Sequence, residues 1–233
     1  MKISVIIPTY NEEERIQRLV SYLKQCGTGY DLELIVVDGQ STDQTVNKIR
    51  ESETKIILSE KKGRAAQMNS GVRHSTGQIL YFVHADATPP SSFPKDILKA
   101  LEEGYNAGCY RFIFDSSHPL LKINAFCTRF DRLMCRGGDQ TLFVTRSLFE
   151  ELGGYKDHYR IMEDFDLIER IQEHGRFKII PKNVTVSARK YKKNGYLTVN
   201  IANLIVFLMY FAGASQTKLV HTYKRLIDHS KFN

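Results

Sequence analysis

The sequence predicts an α/β fold, a mixed and mainly parallel sheet flanked by helices, with a C-terminal helical appendage. Three observations lead there. Short apolar runs rich in Val and Ile recur at residues 3–8, 32–38, 55–59 and 79–84. Helix-like patterns separate the first two runs and the last two. The first two runs are continuously apolar, as expected of strands covered on both faces. With 233 residues, 42% of them hydrophobic, the chain can bury one large core. We expect a domain over residues 1–190 and a helical segment over 191–233.

In order along the chain, Val5-Ile6-Ile7 forms the first central strand. Ile16, Leu19, Val20 and Leu23 follow at the i, i+3, i+4, i+7 spacing of an amphipathic helix. Asn11 and Glu14 resemble a capping box ahead of it. Leu34 to Val37 gives the second strand, and Ser41 to Gln44 can cap a helix carrying Val46 and Ile49. A third helix is expected from Arg64 to His74, before Gly77 resets the chain. The pattern changes near residue 104. Beyond it come a strand at Cys109–Phe114, a helix from Leu120 towards Cys135, a strand at Thr141–Thr145 and a helix at Glu163–His174. This half reads as mixed α+β against the same sheet. Pro89 to Ser92 and Gly137-Gly138 punctuate loops.

The net charge of +7, from 33 basic and 26 acidic side chains, suits an anionic partner. The basic residues are scattered rather than gathered into an arginine-rich stripe with aromatics, so nucleic acid is not the expected partner. The cysteines, Cys26, Cys109, Cys127 and Cys135, contain no CxxC pair. Pro8 and Asn11 interrupt the short apolar start, so no secretory signal is read, and reduced thiols in a cytoplasmic protein are expected.

In an open parallel sheet a ligand binds beyond the carboxyl ends of the strands, where loops meet and helix N-termini point outward. Here those ends carry Glu12, Asp38 and Asp86. Each alone could be a helix cap or a turn residue. Together, with Gly39 allowing close approach, they suit a hydroxyl-rich, metal-associated ligand. Neither a GxGxxG nor a GxxxxGK[ST] loop is present, which argues against a dinucleotide oxidoreductase and a P-loop NTPase.

Pro8-Thr9-Tyr10-Asn11-Glu12, the run Val36 to Thr45, and Glu163-Asp164 together resemble the motifs of family 2 glycosyltransferases with the GT-A fold. Gly63 to Asn69, His84-Ala85-Asp86 and Gly138-Asp139-Gln140 are similar to those of a small bacterial subgroup. The resemblance spans about residues 1–190 and implies a nucleotide-binding half to about residue 104 and an acceptor half to 190. It implies an inverting transfer from a nucleotide-diphosphate sugar to a hydroxyl acceptor, with Mg2+ or Mn2+. Pro8, Tyr10 and Glu12 would line the nucleotide pocket, and Asp38 would contact base or ribose. Asp86 would hold the metal, and Arg64 could pair with phosphate. Asp164, by resemblance to the family's ED motif, would be the base, with Glu163, Asp139 and Gln140 on the acceptor side.

This sequence departs from the family pattern at the first position of the DxD motif, where His84 replaces Asp and becomes either a metal or ribose contact or a locally packed strand-end residue. The QxxRW motif of chain-polymerising members has only Ser187 to Tyr191 as its nearest segment, so a non-processive transfer is expected. Two alternatives stay open. A nucleotidyltransferase also reads nucleotides on such a sheet, although no glycine-rich, lysine-containing loop stands near the N-terminus. A non-catalytic nucleotide-sugar-binding protein would keep the pocket without turnover, and His84 gives some motive for it.

Leu197–Gly213 is strongly apolar but shorter than the roughly 20 residues of a spanning helix. Lys190, Lys192 and Lys193 precede it; Lys218, Lys224 and Arg225 follow. It suits either a helix buried against the domain or a dimer mate, or a peripheral contact with an anionic membrane near a lipid-linked acceptor.

Overall fold

The structure, a computed structural model, describes residues 1–50 and 54–228. The first half alternates strand and helix: β1 (Ile3–Thr9), α1 (Ile16–Cys26), β2 (Leu32–Asp38), α2 (Thr45–Arg50), β3 (Lys55–Leu58), α3 (Arg64–Arg73) and β4 (Ile79–Phe82). The chain continues through β5 (Ala87–Thr88), α4 (Phe93–Glu102), β6 (Ala107–Phe114), α5 (Pro119–Cys127), β7 (Leu142–Thr145), α6 (Arg146–Glu151), α7 (Glu163–His174) and β8 (Phe177–Val186). Three helices close it: α8 (Arg189–Asn194), α9 (Tyr196–Phe211) and α10 (Gln216–Leu226). Residues 229–233 of the expected helical segment lie outside the described residues.

One eight-stranded sheet runs β3-β2-β1-β4-β7-β6-β8-β5. Among the described residues only the β4–β7, β7–β6 and β8–β5 pairings are antiparallel, so the sheet is mixed and mainly parallel, as expected. The continuous apolar runs have the cause assigned to them. Along β1, Ile3, Val5 and Ile7 join one core cluster with Ile16, Leu19, Val20 and Leu23 of α1, while Ile6 joins another with Met68 of α3 and Ile168 of α7. Parallel register sets Thr9 opposite Asp38 and Ile6 opposite Phe82, so three strand ends reach the same edge.

Several expectations need correction. Asn11 and Glu14 form no capping box: α1 starts at Ile16 with no side-chain cap. Asn11 instead takes φ 51° and ties to the next loop, its Oδ1 accepting from the Thr42 amide at 2.8 Å. The helix read from Leu120 towards Cys135 ends at Cys127, where Thr128 turns its hydroxyl back to the Ala125 carbonyl at 2.7 Å and competes with the helical ladder. The helices α4 and α6 and the strand β8 go beyond what the pattern indicated.

Candidate active site

The chain approaches the edge at β1, β2 and β4 under visible constraint. Among the described residues four non-glycine residues take positive φ: Asn11, Gln40, Thr141 and Met162. Each adjoins a residue singled out above: Glu12, Gly39, Gln140 and Glu163. Such backbone persists only where surroundings enforce it, and it gathers at functional sites.

A cavity of about 130 Å3 lies there, lined by Pro8 near the end of β1, by Tyr10 and Glu12 after it, by Gly39 after β2, and by Arg64 and His84. Gln67 sets its floor. Its Nε2 donates to the carbonyls of Thr9 and Val37, both at 2.8 Å, tying the ends of β1 and β2 together. Gly39 is required by that bridge, because a Cβ there would fall 2.8 Å from Gln67 Nε2. Asp38 is buried beside Gly39, outside the cavity lining, and its carboxylate accepts from the Ser41 amide (2.9 Å) and hydroxyl (2.5 Å).

A second cavity of about 450 Å3 opens alongside, and Arg64 lines both. Asp86, Asp139, Glu163 and Asp164 line the larger one, as do residues of α5, α8, α9 and α10, so the C-terminal helices form part of its wall. Gln140 is buried outside both linings.

At the junction, Arg64 Nε lies 3.0 Å from a carboxylate oxygen of buried Glu163, and its Nη1 lies 3.4 Å from His84 Nδ1. Burial works against the guanidinium charge, but Glu163, Asp164, Asp139 and Asp86 outweigh it and raise its pKa. Asp164 goes the other way: burial first, then Glu163, push its carboxyl up to about 7 against the pull of Arg64. Gly138 lets the pieces meet. A Cβ on it would lie 2.2 Å from Asp164 Oδ2 and 2.4 Å from His84 Cε1.

Sequence reasoning missed Arg189 as a site residue. The short β5–β8 pairing sets Val186 opposite Ala87, the Ser187 amide bonds the Asp86 carbonyl, and α8 begins two residues later. Arg189 thereby donates through both Nη atoms to the Glu12 carboxylate and lies 3.4 Å from Asp86 Oδ2. The partial likeness of Ser187 to Tyr191 to a known motif was the available signal. Lys62 and Arg160, also unanticipated, line the smaller cavity.

Among the described residues no group of three or more His, Cys, Asp or Glu is placed to hold a metal ion by itself. The donors at the junction still fit a hard divalent ion. Asp86 supplies a carboxylate oxygen at the cavity, and Mg2+ sites commonly pair one or two carboxylates with substrate phosphates and water.

The model of the family described as "Glycosyl transferase family 2" matches residues 4–162. Among curated proteins, the probable glycosyltransferase YdaM of Bacillus subtilis is 28% identical over 210 residues, 79% of this chain and 50% of that protein. The dolichol-phosphate mannosyltransferase of Pyrococcus furiosus is 34% identical over 110 residues, 45% of this chain and 31% of the relative. The chain thus spans half or less of these relatives' length. Among solved structures, the mannosyltransferase PcManGT from Pyrobaculum calidifontis, in complex with GDP-Man and Mn2+, superposes with a TM-score of 0.70 at 21% identity, over 96% of this chain and 69% of its own. S. aureus TarS 1-349 in complex with UDP-GlcNAc gives 0.67 at 17% identity, over 97% and 71%. These likenesses establish the fold.

Proposed function

The chain belongs to glycosyl transferase family 2, and from that premise we propose that it moves a sugar from a nucleotide-diphosphate donor to an acceptor hydroxyl, once per encounter and with inversion. The observation that carries this reading is the junction itself: a buried carboxylate with a pKa near neutrality and a guanidinium shared by two cavities.

The smaller cavity takes the nucleotide, with Pro8 and Tyr10 against the base and ribose; Asp38 holds the Gly39–Ser41 turn that shapes it. Arg64, Lys62 and Arg160 face the diphosphate. The larger cavity takes the acceptor, with Asp139 and Glu163 on its wall. Asp164 accepts the acceptor's hydroxyl proton as that oxygen bonds to the anomeric carbon and the bond to the diphosphate breaks. The leaving diphosphate's charge is stabilised by Arg64 and by Arg189 once the latter turns from Glu12 and Asp86. Asp86 is the residue to hold Mg2+ or Mn2+, with His84 beside it, and the ion would add charge stabilisation on the diphosphate. The structures of relatives with Mn2+ and with GDP-Man or UDP-GlcNAc support this class of donor, and the dolichol-phosphate relative supports a lipid-linked acceptor.

Incubation with a panel of nucleotide sugars tests the reading. Release of nucleoside diphosphate, by hydrolysis or transfer, is expected. Pyrophosphate release from a nucleoside triphosphate and a sugar phosphate would make the chain a nucleotidyltransferase, and binding without turnover across donors and acceptors would make it a binding protein.

A further inference from the structure

Helix α9 buries Val199, Ala202 and Val206 but exposes Leu197, Ile201, Leu204, Leu208 and Phe211 along one stripe. A second apolar set lies on α5 and the segment after it, where Leu120, Ile123, Phe126, Phe130 and Met134 are exposed. Together these ten side chains are 39–69% exposed, against four other exposed large hydrophobics on the described residues. They form neighbouring surfaces. Asn124 of α5 donates to Asn200 Oδ1 of α9 at 2.9 Å and accepts from the Tyr196 hydroxyl at 2.9 Å, a polar seam that ties the two helices side by side.

Exposed basic side chains flank this apolar surface, while α9 itself carries no charge. On residues 118–136 Lys122, Arg129 and Arg132 are exposed beside Asp131, and on either side of α9 Lys192, Lys193, Lys218, Lys224 and Arg225 are exposed beside Asp228. The arrangement interleaves charge with apolar surface: the Arg129 guanidinium sits 4.8 Å from the centre of the exposed Phe126 ring, and Lys122 is exposed next to Ile123. Long basic side chains beside exposed aromatics and aliphatics match the boundary between anionic headgroups and acyl chains. No described helix is long and apolar enough to cross a membrane, so contact of this kind is along the surface.

We propose that the composite α5–α9 face seats on an anionic lipid surface, bringing the mouth of the larger cavity to the bilayer. Met134 and Leu204 belong to both the face and the cavity lining, so the cavity opens where the face makes contact. An amphiphilic acceptor can then offer its headgroup to Asp164 without leaving the lipid. Docking stands on the face alone and does not depend on what the site transfers.

The test is flotation of the full chain with phosphatidylcholine vesicles that contain or lack phosphatidylglycerol, alongside light scattering without lipid. We expect the protein to float with the anionic vesicles and to remain below with the neutral ones. A Leu197→Gln/Ile201→Gln/Leu208→Gln variant should lower the affinity for the anionic vesicles at least about tenfold, and Lys122→Gln/Arg129→Gln about thirtyfold, at about one kcal/mol per charge. These positions are exposed, and unchanged circular dichroism and nucleoside-diphosphate calorimetry would show the fold and donor site intact. Wild-type protein that stays below the anionic vesicles, or a triple variant that floats like wild type, overturns the proposal. So does a dimer at micromolar concentration that the triple variant dissolves, since a second copy then covers the face.

Discussion

A carboxylate at the start of a helix is subject to opposed influences: the helix dipole favours the charged form, and burial favours the neutral one. For Asp164, first-turn residue of α7, burial and Glu163 prevail and hold the group near pH 7. Because this pKa lies above the unfolded value of about 3.9, native Asp164 resists ionisation, and stability falls as pH rises from about 4 to about 7. Asp164→Asn removes that penalty. We expect the variant to gain stability over wild type above pH 7, up to about 4 kcal/mol in urea denaturation, with little gain below pH 4. Turnover should fall about a hundredfold or more while donor binding persists. A variant as active as wild type removes Asp164 from the base role. At Gly138 the constraint is steric: Gly138→Ala inserts a methyl group between Asp164 and His84. We expect turnover to fall at least about tenfold through displaced reacting groups, with nucleoside-diphosphate affinity changed less, as calorimetry would show.

Elements buried on one face announce themselves by period, and those whose partners are remote do not. Helix α1 was legible because Ile16, Leu19, Val20 and Leu23 all face one core cluster, and α7 because its acids precede Leu167, Ile168 and Ile171. The strand β8 was not, since Pro181, Lys182 and Asn183 interrupt it where the β6 pairing shifts register after Tyr110. Arg189 was hidden with it, because only the β8–β5 pairing brings residue 189 to Glu12 and Asp86. Helix α4 starts with Pro94 in its first turn, a favourable start that reads as loop after Pro89 and Pro90. Glu33 of β2 shows how one side chain joins elements: it accepts from Ser4 Oγ of β1 and from the Thr76 and Gly77 amides. Burial would raise its pKa, but these hydrogen bonds and Lys2 lower it to about 2. The folded value lies below the unfolded one, so its contribution is full above about pH 4.3 and is lost as pH falls towards 2. Glu33→Gln should cost about 1–2 kcal/mol at pH 7 and progressively less in acid, as urea unfolding at several pH values would show.

The molecule brings its parallel half, its antiparallel strands and its C-terminal helices to one place, and Arg64 is where they meet. It starts α3 in the first half, pairs with Glu163 of the second, and lines both cavities. Its charge also lowers the pKa of Asp164, working against burial and Glu163. One side chain therefore couples donor to base: a diphosphate drawing on the guanidinium weakens its hold on the Asp164 proton equilibrium and makes the carboxylate a stronger base as the donor binds. Removing the guanidinium separates the two roles. In Arg64→Met we expect weaker nucleoside-diphosphate binding, by about tenfold or more for a lost charge-assisted contact. The pH at which turnover reaches half its maximum should move upward from about 7, because Asp164 then ionises only at higher pH. A purely structural role for Arg64 would lower turnover at every pH without moving the midpoint, and that result would break the coupling. If the midpoint shifts while the donor affinity holds, Arg64 tunes the base alone, and the diphosphate must rely on Lys62, Arg160 and Arg189.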